Sequence, residues 1–148
     1  MLTQIRILDM GQDDPKKCTA QRLARFDLAE LFTRITNLPQ MGVLLDPYCK
    51  KPMTLSDKSL VQVGGLVAID CSWKNASEIF PKLQLYGLES RSLPEIIPVN
   101  PVNSGKVGKL TTAEALAAGL MISGFQEDAV KIMSVFKWGP SFLRLNTF

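Results

Sequence analysis

Three stretches of this sequence put reactive or ligand-holding groups where the chain's own geometry would present them. In Val67-Ala68-Ile69-Asp70-Cys71-Ser72-Trp73 an apolar run ends in a carboxylate and meets an indole within one turn. Ligands of open α/β sheets sit beyond the carboxyl ends of the strands, so Asp70 would face such a cleft and Trp73 would wall it. The same residues also read as Asp70 capping the next helix and Trp73 filling a core. A second stretch, Leu93 to Thr112, is rich in proline, asparagine and glycine and leads into a helix start, where free backbone N–H groups attract carboxylates and phosphates. Its plainer reading is a connector between two halves of the chain. The third, Asp14-Pro15-Lys16-Lys17-Cys18-Thr19, is another turn opening a helix, and equally a surface turn with solvated lysines.

Composition narrows the chemistry further. Histidine is absent, which removes Ser–His and Cys–His nucleophilic machinery and leaves carboxylates, lysine, tyrosine or backbone groups for proton transfer. Cys18, Cys49 and Cys71 show no Cys-x-x-Cys spacing, so free intracellular thiols are expected and a metal site is not. Neither a phosphate-cradling P-loop nor a dinucleotide Gly-rich fingerprint occurs. No apolar run reaches the roughly 18–20 residues that span a bilayer, and residues 1–9 alternate rather than form an export signal. A cytoplasmic protein without membrane contact is expected. The net charge of +3 permits a polyanionic partner without requiring one. Its distribution says more, because Lys16, Lys17, Arg22 and Arg25 crowd one segment, Lys50 and Lys51 share a turn, and Lys106 and Lys109 flank a glycine.

Positioning such groups takes a frame of strands and helices, and the hydrophobic pattern supplies one. Leu2 to Leu8 alternates as a strand, and Asp13 to Lys17 forms a turn before a helix from Thr19 to Arg25. Gly42 to Leu45 reads as a buried strand stopped by Asp46-Pro47. Thr54 to Val63 reads as a helix capped by Thr54, with Asp57 in its first turn and Gly64-Gly65 ending it. Leu66 to Ile69 is continuous and apolar, a central strand ending at Asp70. Strands separated by short helices predict a largely parallel, covered sheet. From Leu93 the character changes: Pro94, Pro98 and Pro101 forbid regular helix, so a long loop is expected to Gly108. Thr111-Thr112-Ala113-Glu114 is a capping-box pattern opening a helix to about Ser123, and Ala115, Ala118 and Gly119 allow close approach to it. A second helix carries Phe125, Ala129, Ile132, Met133 and Phe136. Gly139-Pro140 stops it before a last short turn from Ser141 to Asn146.

Taken together and in order, several motifs resemble those of the small-subunit rRNA aminocarboxypropyltransferases of archaea and eukaryotes. They are Asp14 to Thr19, Ile69 to Trp73, Arg91-Ser92-Leu93-Pro94, Asn100-Pro101-Val102-Asn103, Lys109 to Ala115, and Phe136-Lys137-Trp138-Gly139 with Phe142-Leu143 and Leu145-Asn146. The resemblance spans essentially the whole chain. It implies an α/β fold of SPOUT-like type: an N-terminal α/β domain, residues 1–92, whose sheet continues into a deep trefoil knot, then an all-helical C-terminal domain, residues 93–148, which includes the knotted cofactor-binding loop. It also implies S-adenosylmethionine as donor of its aminocarboxypropyl group. The acceptor would be a ring nitrogen of an N1-methylated pseudouridine in small-subunit rRNA, and methylthioadenosine would be released by a monomeric enzyme of ribosome biogenesis.

Carried residue by residue, the resemblance places adenine in an apolar slot of Leu45, Pro47, Trp73, Leu93, Leu110 and Ala115, with the Ile69 carbonyl on the ribose. Thr19 and the N–H of Thr112 would hold the cofactor's carboxylate. Trp73 and Ala76 would bury the methyl group, leaving the aminocarboxypropyl carbon toward the RNA. Asp70 would orient or deprotonate the ring N–H; with an ordinary pKa near ~3.9 it is a weak base, so orientation or sulfonium stabilisation suits it equally. Lys16, Lys17, Arg22, Arg25 and Arg91 would meet RNA phosphates. Where the family usually has Tyr after the Asn-Pro-Val-Asn run this chain has Ser104, so no contact of that side chain carries over. The chain also lacks the acidic tail of eukaryotic members, as an archaeal-type member would. The rival functions are a knotted RNA methyltransferase exposing the methyl, a non-enzymatic ribosome-assembly factor, and a nucleotide-binding regulator without RNA.

Overall fold

The computed structural model describes the chain except residues 2, 12–17, 71, 72, 85, 107–109 and 147, and except the side chains of residues 73–75 and 84. Among the described residues, strands β1 (Ile5–Asp9), β2 (Glu30–Phe32), β3 (Val43–Leu45), β4 (Leu66–Asp70) and β5 (Glu89–Arg91) form one sheet in the order β2-β1-β4-β3-β5. Every pairing is parallel. Side chains alternate between its faces with the period of two that a pleated strand imposes. Ile5 and Ile7 of β1, Val43 and Leu45 of β3, and Leu66 and Ala68 of β4 enter one hydrophobic cluster; Leu8, Leu44 and Val67 enter the other. Both faces are therefore covered, which is why β3 and β4 read as unbroken apolar runs.

The helices are α1 (Thr19–Arg25), α2 (Lys58–Gly64), α3 (Trp73–Gln84), α4 (Thr112–Ser123), α5 (Gln126–Met133) and α6 (Gly139–Leu145). Leu23 of α1, Val61 of α2, Leu116 of α4, Ile132 of α5 and Phe142 of α6 fill the first cluster, while Ala76, Phe80 and Leu83 of α3 fill the second. Helix α4 lies directly on the sheet. A Cβ at Gly119 would come within 3.2 Å of Leu66 Cδ2 and 3.3 Å of Leu45 Cδ2, so the small residues expected to admit a neighbour admit β3 and β4.

Local signals fix most element starts. Thr54 caps as expected and makes a capping box with Asp57, but the segment divides into a 3-10 turn over Leu55–Asp57 and then α2. Thr111 and Glu114 cap α4 reciprocally, and Gly124 closes it with φ 94°. The expected last turn is a full helix: Gly139-Pro140 opens α6 instead of only stopping α5, because a proline in the first helical turn lacks only an N–H that had no partner there. Helix α5 ends at Met133, one turn short of Phe136. The turn expected over Asp13 to Lys17 lies outside the described residues.

The loop after β5 is pinned from three sides. Asn146 accepts from Ile97 N–H and donates to the Ile97 carbonyl, both at 2.9 Å. Glu114 accepts from Val99 N–H and the Asn100 amide, both at 2.7 Å. Asn100 Oδ1 in turn accepts from Val102 and Asn103 N–H at 3.1 and 2.8 Å.

Candidate active site

Parallel register brings the ends of β1 and β4 side by side, with Asp9 opposite Asp70. Both carboxylates lie at the carboxyl edge of the sheet and are 9 % exposed, enough to meet a ligand without being solvated. Helices α1 and α4 start next to this edge and pack together, and the Thr19 hydroxyl accepts from Ala113 N–H at 3.2 Å. Asp70 Oδ2 accepts from the Cys18 thiol at 3.0 Å and Oδ1 accepts from the Thr112 hydroxyl at 3.3 Å. Asp9 accepts from Gly11 N–H at 2.9 Å and the Gln21 amide at 2.6 Å. Thr19, Asp70 and Thr112, predicted from three separate stretches, thus meet at one place.

Asp9, Cys18 and Asp70 each offer one ligand atom, all within 4.8 Å of one another. Here burial, then the hydrogen bond to Asp70, pushes the Cys18 thiol up to about 12, so it stays a protonated donor. Asp70 is held by the neutral donors Cys18 and Thr112, and Asp9 separately by Gly11 and Gln21.

Of the expected adenine slot, Leu45, Leu93, Leu110 and Ala115 belong to the α4-side cluster, Leu45 buried and the other three half-buried. Pro47 is exposed on the turn after β3, where Asp46 accepts from Tyr48 N–H at 2.8 Å. Ala76 is buried in the cluster on the opposite face, and the half-buried Ile69 side chain packs there too. The side chains of these two are thus not gathered with Leu45, Leu110 and Ala115. Trp73 opens α3; its side chain, like Lys16 and Lys17, lies outside the described residues.

The basic residues divide. Arg25 is exposed in the last turn of α1. Arg22 is exposed too, and its Nε donates to the Val135 carbonyl at 2.6 Å. Arg91 corrects the expectation placed on it: it is 5 % exposed, with Nε on Asp57 Oδ1 at 3.0 Å and Nη1 on the Ser90 carbonyl at 2.7 Å. A buried guanidinium so engaged ties β5 to the start of α2 rather than meeting a phosphate. Sequence reasoning passed over Asp9, although β1 ends in Ile-Leu-Asp much as β4 ends in Ala-Ile-Asp. It also read Cys18 only as a free thiol.

Comparisons with known proteins identify the family. The family described as "Ribosome biogenesis protein, C-terminal" matches residues 43–148. A second, "Possible Fer4-like domain in RNase L inhibitor, RLI", matches residues 3–36. An iron–sulfur cluster of that kind takes four thiolates, and the matched segment holds one cysteine, the protonated Cys18, so the residues do not fit such a cluster. A protein of Methanosarcina mazei named 16S rRNA aminocarboxypropyltransferase is 47 % identical over 140 residues, covering 95 % of this chain and 79 % of that one. A namesake from Methanocaldococcus jannaschii is 36 % identical, covering 98 % of this chain and 83 % of that one. A solved structure, "Structure of the SAM-dependent rRNA:acp-transferase Tsr3 from Vulcanisaeta distributa", superposes with a TM-score of 0.92 at 41 % identity, covering 99 % of this chain and 79 % of that one.

Proposed function

This chain belongs to the 16S rRNA aminocarboxypropyltransferase family, S-adenosylmethionine-dependent transferases, and we propose that it modifies an N1-methylated pseudouridine of small-subunit rRNA. In this reading it transfers the 3-amino-3-carboxypropyl group to the other ring nitrogen. The observation that carries the reading is the meeting of Asp70 with the start of α4 at the carboxyl edge of β4, on the sheet face that holds Leu45, Leu110 and Ala115.

The N–H of Thr112, at the start of α4, would hold the donor's carboxylate. Thr19 would join it by releasing its hydroxyl from Ala113. Leu45, Pro47, Leu93, Leu110 and Ala115 would receive the adenine, and the Ile69 carbonyl the ribose. Trp73 and Ala76 would cover the methyl, and Trp73 would favour the sulfonium by about 0.5–2 kcal/mol of cation–π attraction. The ring nitrogen then attacks the aminocarboxypropyl carbon bonded to sulfur. As the new C–N bond forms, the C–S bond breaks and its electron pair stays on sulfur, leaving neutral methylthioadenosine. Asp70 orients the ring N–H, and the proton passes to it or to water. Much of the acceleration is positioning. Lys16, Lys17, Arg22 and Arg25 would engage RNA phosphates. We take the fold to carry the trefoil knot, with residues 1–92 and 93–148 as its α/β and helical domains, in a monomeric cytoplasmic protein.

Donor labelled in the carboxyl carbon or in the methyl group, incubated with premethylated small-subunit rRNA, tests the reading. Label reaching RNA only from the carboxyl carbon supports it. Label only from the methyl makes the protein a methyltransferase, and none from either leaves an assembly factor.

A further inference from the structure

The motif Phe136-Lys137-Trp138-Gly139 and the ring of Phe26 take no part in the transfer chemistry, yet they form one construction. The Phe136 and Trp138 rings stack with centroids 4.8 Å apart and planes at 28°. The Arg22 guanidinium lies 5.9 Å from the Phe136 centroid and 5.3 Å from that of Phe26. Its hydrogen bond to the Val135 carbonyl fixes it there. The series Trp138, Phe136, Arg22, Phe26 therefore leads from a ring that is 6 % exposed, Phe136, to one that is 53 % exposed, Phe26.

Phe26 is held out by a rigid chain turn. It is the C-cap of α1, followed by Asp27 with φ 57°, the one non-glycine residue in the left-handed region among those described. Asp27 N–H donates to the Ala24 carbonyl and Leu28 N–H to that of Leu23, both at 3.0 Å, which is a Schellman closure. Arg25 in the same turn and Lys137 are exposed, so with Arg22 they give the neighbourhood a cationic excess over Asp27 and Glu30. An aromatic face backed by a guanidinium and flanked by cations answers both parts of an unpaired nucleotide, its base and its phosphate.

We propose that Phe26, held by Arg22, is a stacking platform for an unpaired base of the RNA substrate. The proposal rests on the RNA-transferase reading and gives that reading a docking surface. Thr19 and Phe26 bound α1, seven residues apart, about 10 Å along a helix axis. The stacked base then sits a few nucleotides from the one being modified. Single strands are read in this way because every base has a π-face, whereas a duplex keeps its bases stacked on one another.

The test measures affinity of the full chain for two RNAs of equal length, a hairpin with an unpaired loop and a fully paired duplex. Wild type, Phe26→Ala and Phe26→Trp are compared, with donor affinity and carboxyl-label transfer by wild type measured alongside. The expected result is a loss of roughly 5- to 100-fold on the hairpin for Phe26→Ala, the range one base–aromatic stack contributes. Phe26→Trp should bind as wild type, and duplex binding and donor affinity should not change. Wild-type hairpin affinity in Phe26→Ala overturns the platform and leaves the ring for a protein partner. Equal losses on hairpin and duplex overturn it too, since the ring would then only be supporting the fold or the charge of Arg22. Wild type that transfers no carboxyl label to premethylated small-subunit rRNA overturns the transferase reading itself, and the platform with it.

Discussion

Glu114 and Asp70 are both carboxylates at the first turn of α4, yet their partners differ in kind. Glu114 is fully buried and accepts from Val99 N–H at 2.7 Å, the Asn100 amide at 2.7 Å, Thr111 N–H at 3.0 Å and the Thr111 hydroxyl at 3.1 Å. Two of those donors are backbone groups, and Asn100 is itself locked by Val102 and Asn103. Asp70 sits at the rim, among donors that include the Cys18 thiol and the Thr112 hydroxyl, both free to rotate. One carboxylate freezes the loop that approaches the site; the other is oriented by groups that can turn aside when substrate arrives. Adjacent threonines serve the two: Thr111 belongs to the scaffold and Thr112 to the site.

Removing each carboxylate should separate the roles. Glu114→Ala leaves several buried donors unsatisfied and loses the capping box, so a stability loss of about 3–5 kcal/mol is expected in urea denaturation. Asp70→Asn should cost about 1 kcal/mol or less and leave donor affinity unchanged, while transfer to RNA slows about 100-fold or more. If Asp70→Asn unfolds the chain as readily as Glu114→Ala, the distinction between scaffold and site is lost.

The thiol beside Asp70 makes the comparison pH-dependent. Cys18 keeps its proton up to about 12 in the folded protein, against 9.0 when unperturbed. The unfolded chain therefore gives up that proton first. The stability contributed by the buried neutral thiol is complete below pH 9.0 and declines as pH rises toward 12. Urea midpoints followed over that alkaline range should fall more steeply for wild type than for Cys18→Ser. Parallel profiles would mean that Asp70 is not facing a protonated thiol.

What was legible in the sequence follows the reach of the interactions involved. Capping boxes at Thr54 and Thr111 join residues three apart; the cap at Thr54 and the whole box at Thr111 were read directly. Strands β3 and β4 announced themselves because burial on both faces leaves only apolar residues. The edge strands β2 and β5, Glu-Leu-Phe and Glu-Ser-Arg, are three residues long and partly charged, and nothing local marks them. Cys18 meets Asp70 across 52 residues and Asn146 meets Ile97 across 49, pairings that no local spacing announces. The same limit explains Arg91, which looks like any loop cation until Asp57, 34 residues earlier, folds against it. The family resemblance, not periodicity, joined Thr19, Asp70 and Thr112; in the fold Thr112 bonds Asp70 and Thr19 bonds the neighbouring Ala113.

The finest cut lies between the neighbouring threonines. Thr111→Val removes the hydroxyl that accepts from Glu114 N–H, so it should cost about 1–2 kcal/mol of stability, as lost N-caps do. Thr112→Val removes a hydroxyl donated to Asp70 at 3.3 Å but keeps the backbone N–H at the helix start. Its expected cost is smaller, about 0.5–1 kcal/mol, because the lost bond is long and Asp70 retains the Cys18 thiol. Transfer rate should order the pair the other way, with Thr112→Val slower at saturating donor because Asp70 is freer to swing. If both variants lose stability and rate in the same proportion, the two carboxylates belong to one network. Opposite orders in the two measurements would make adjacent residues the boundary between the part of this protein that holds still and the part that reacts.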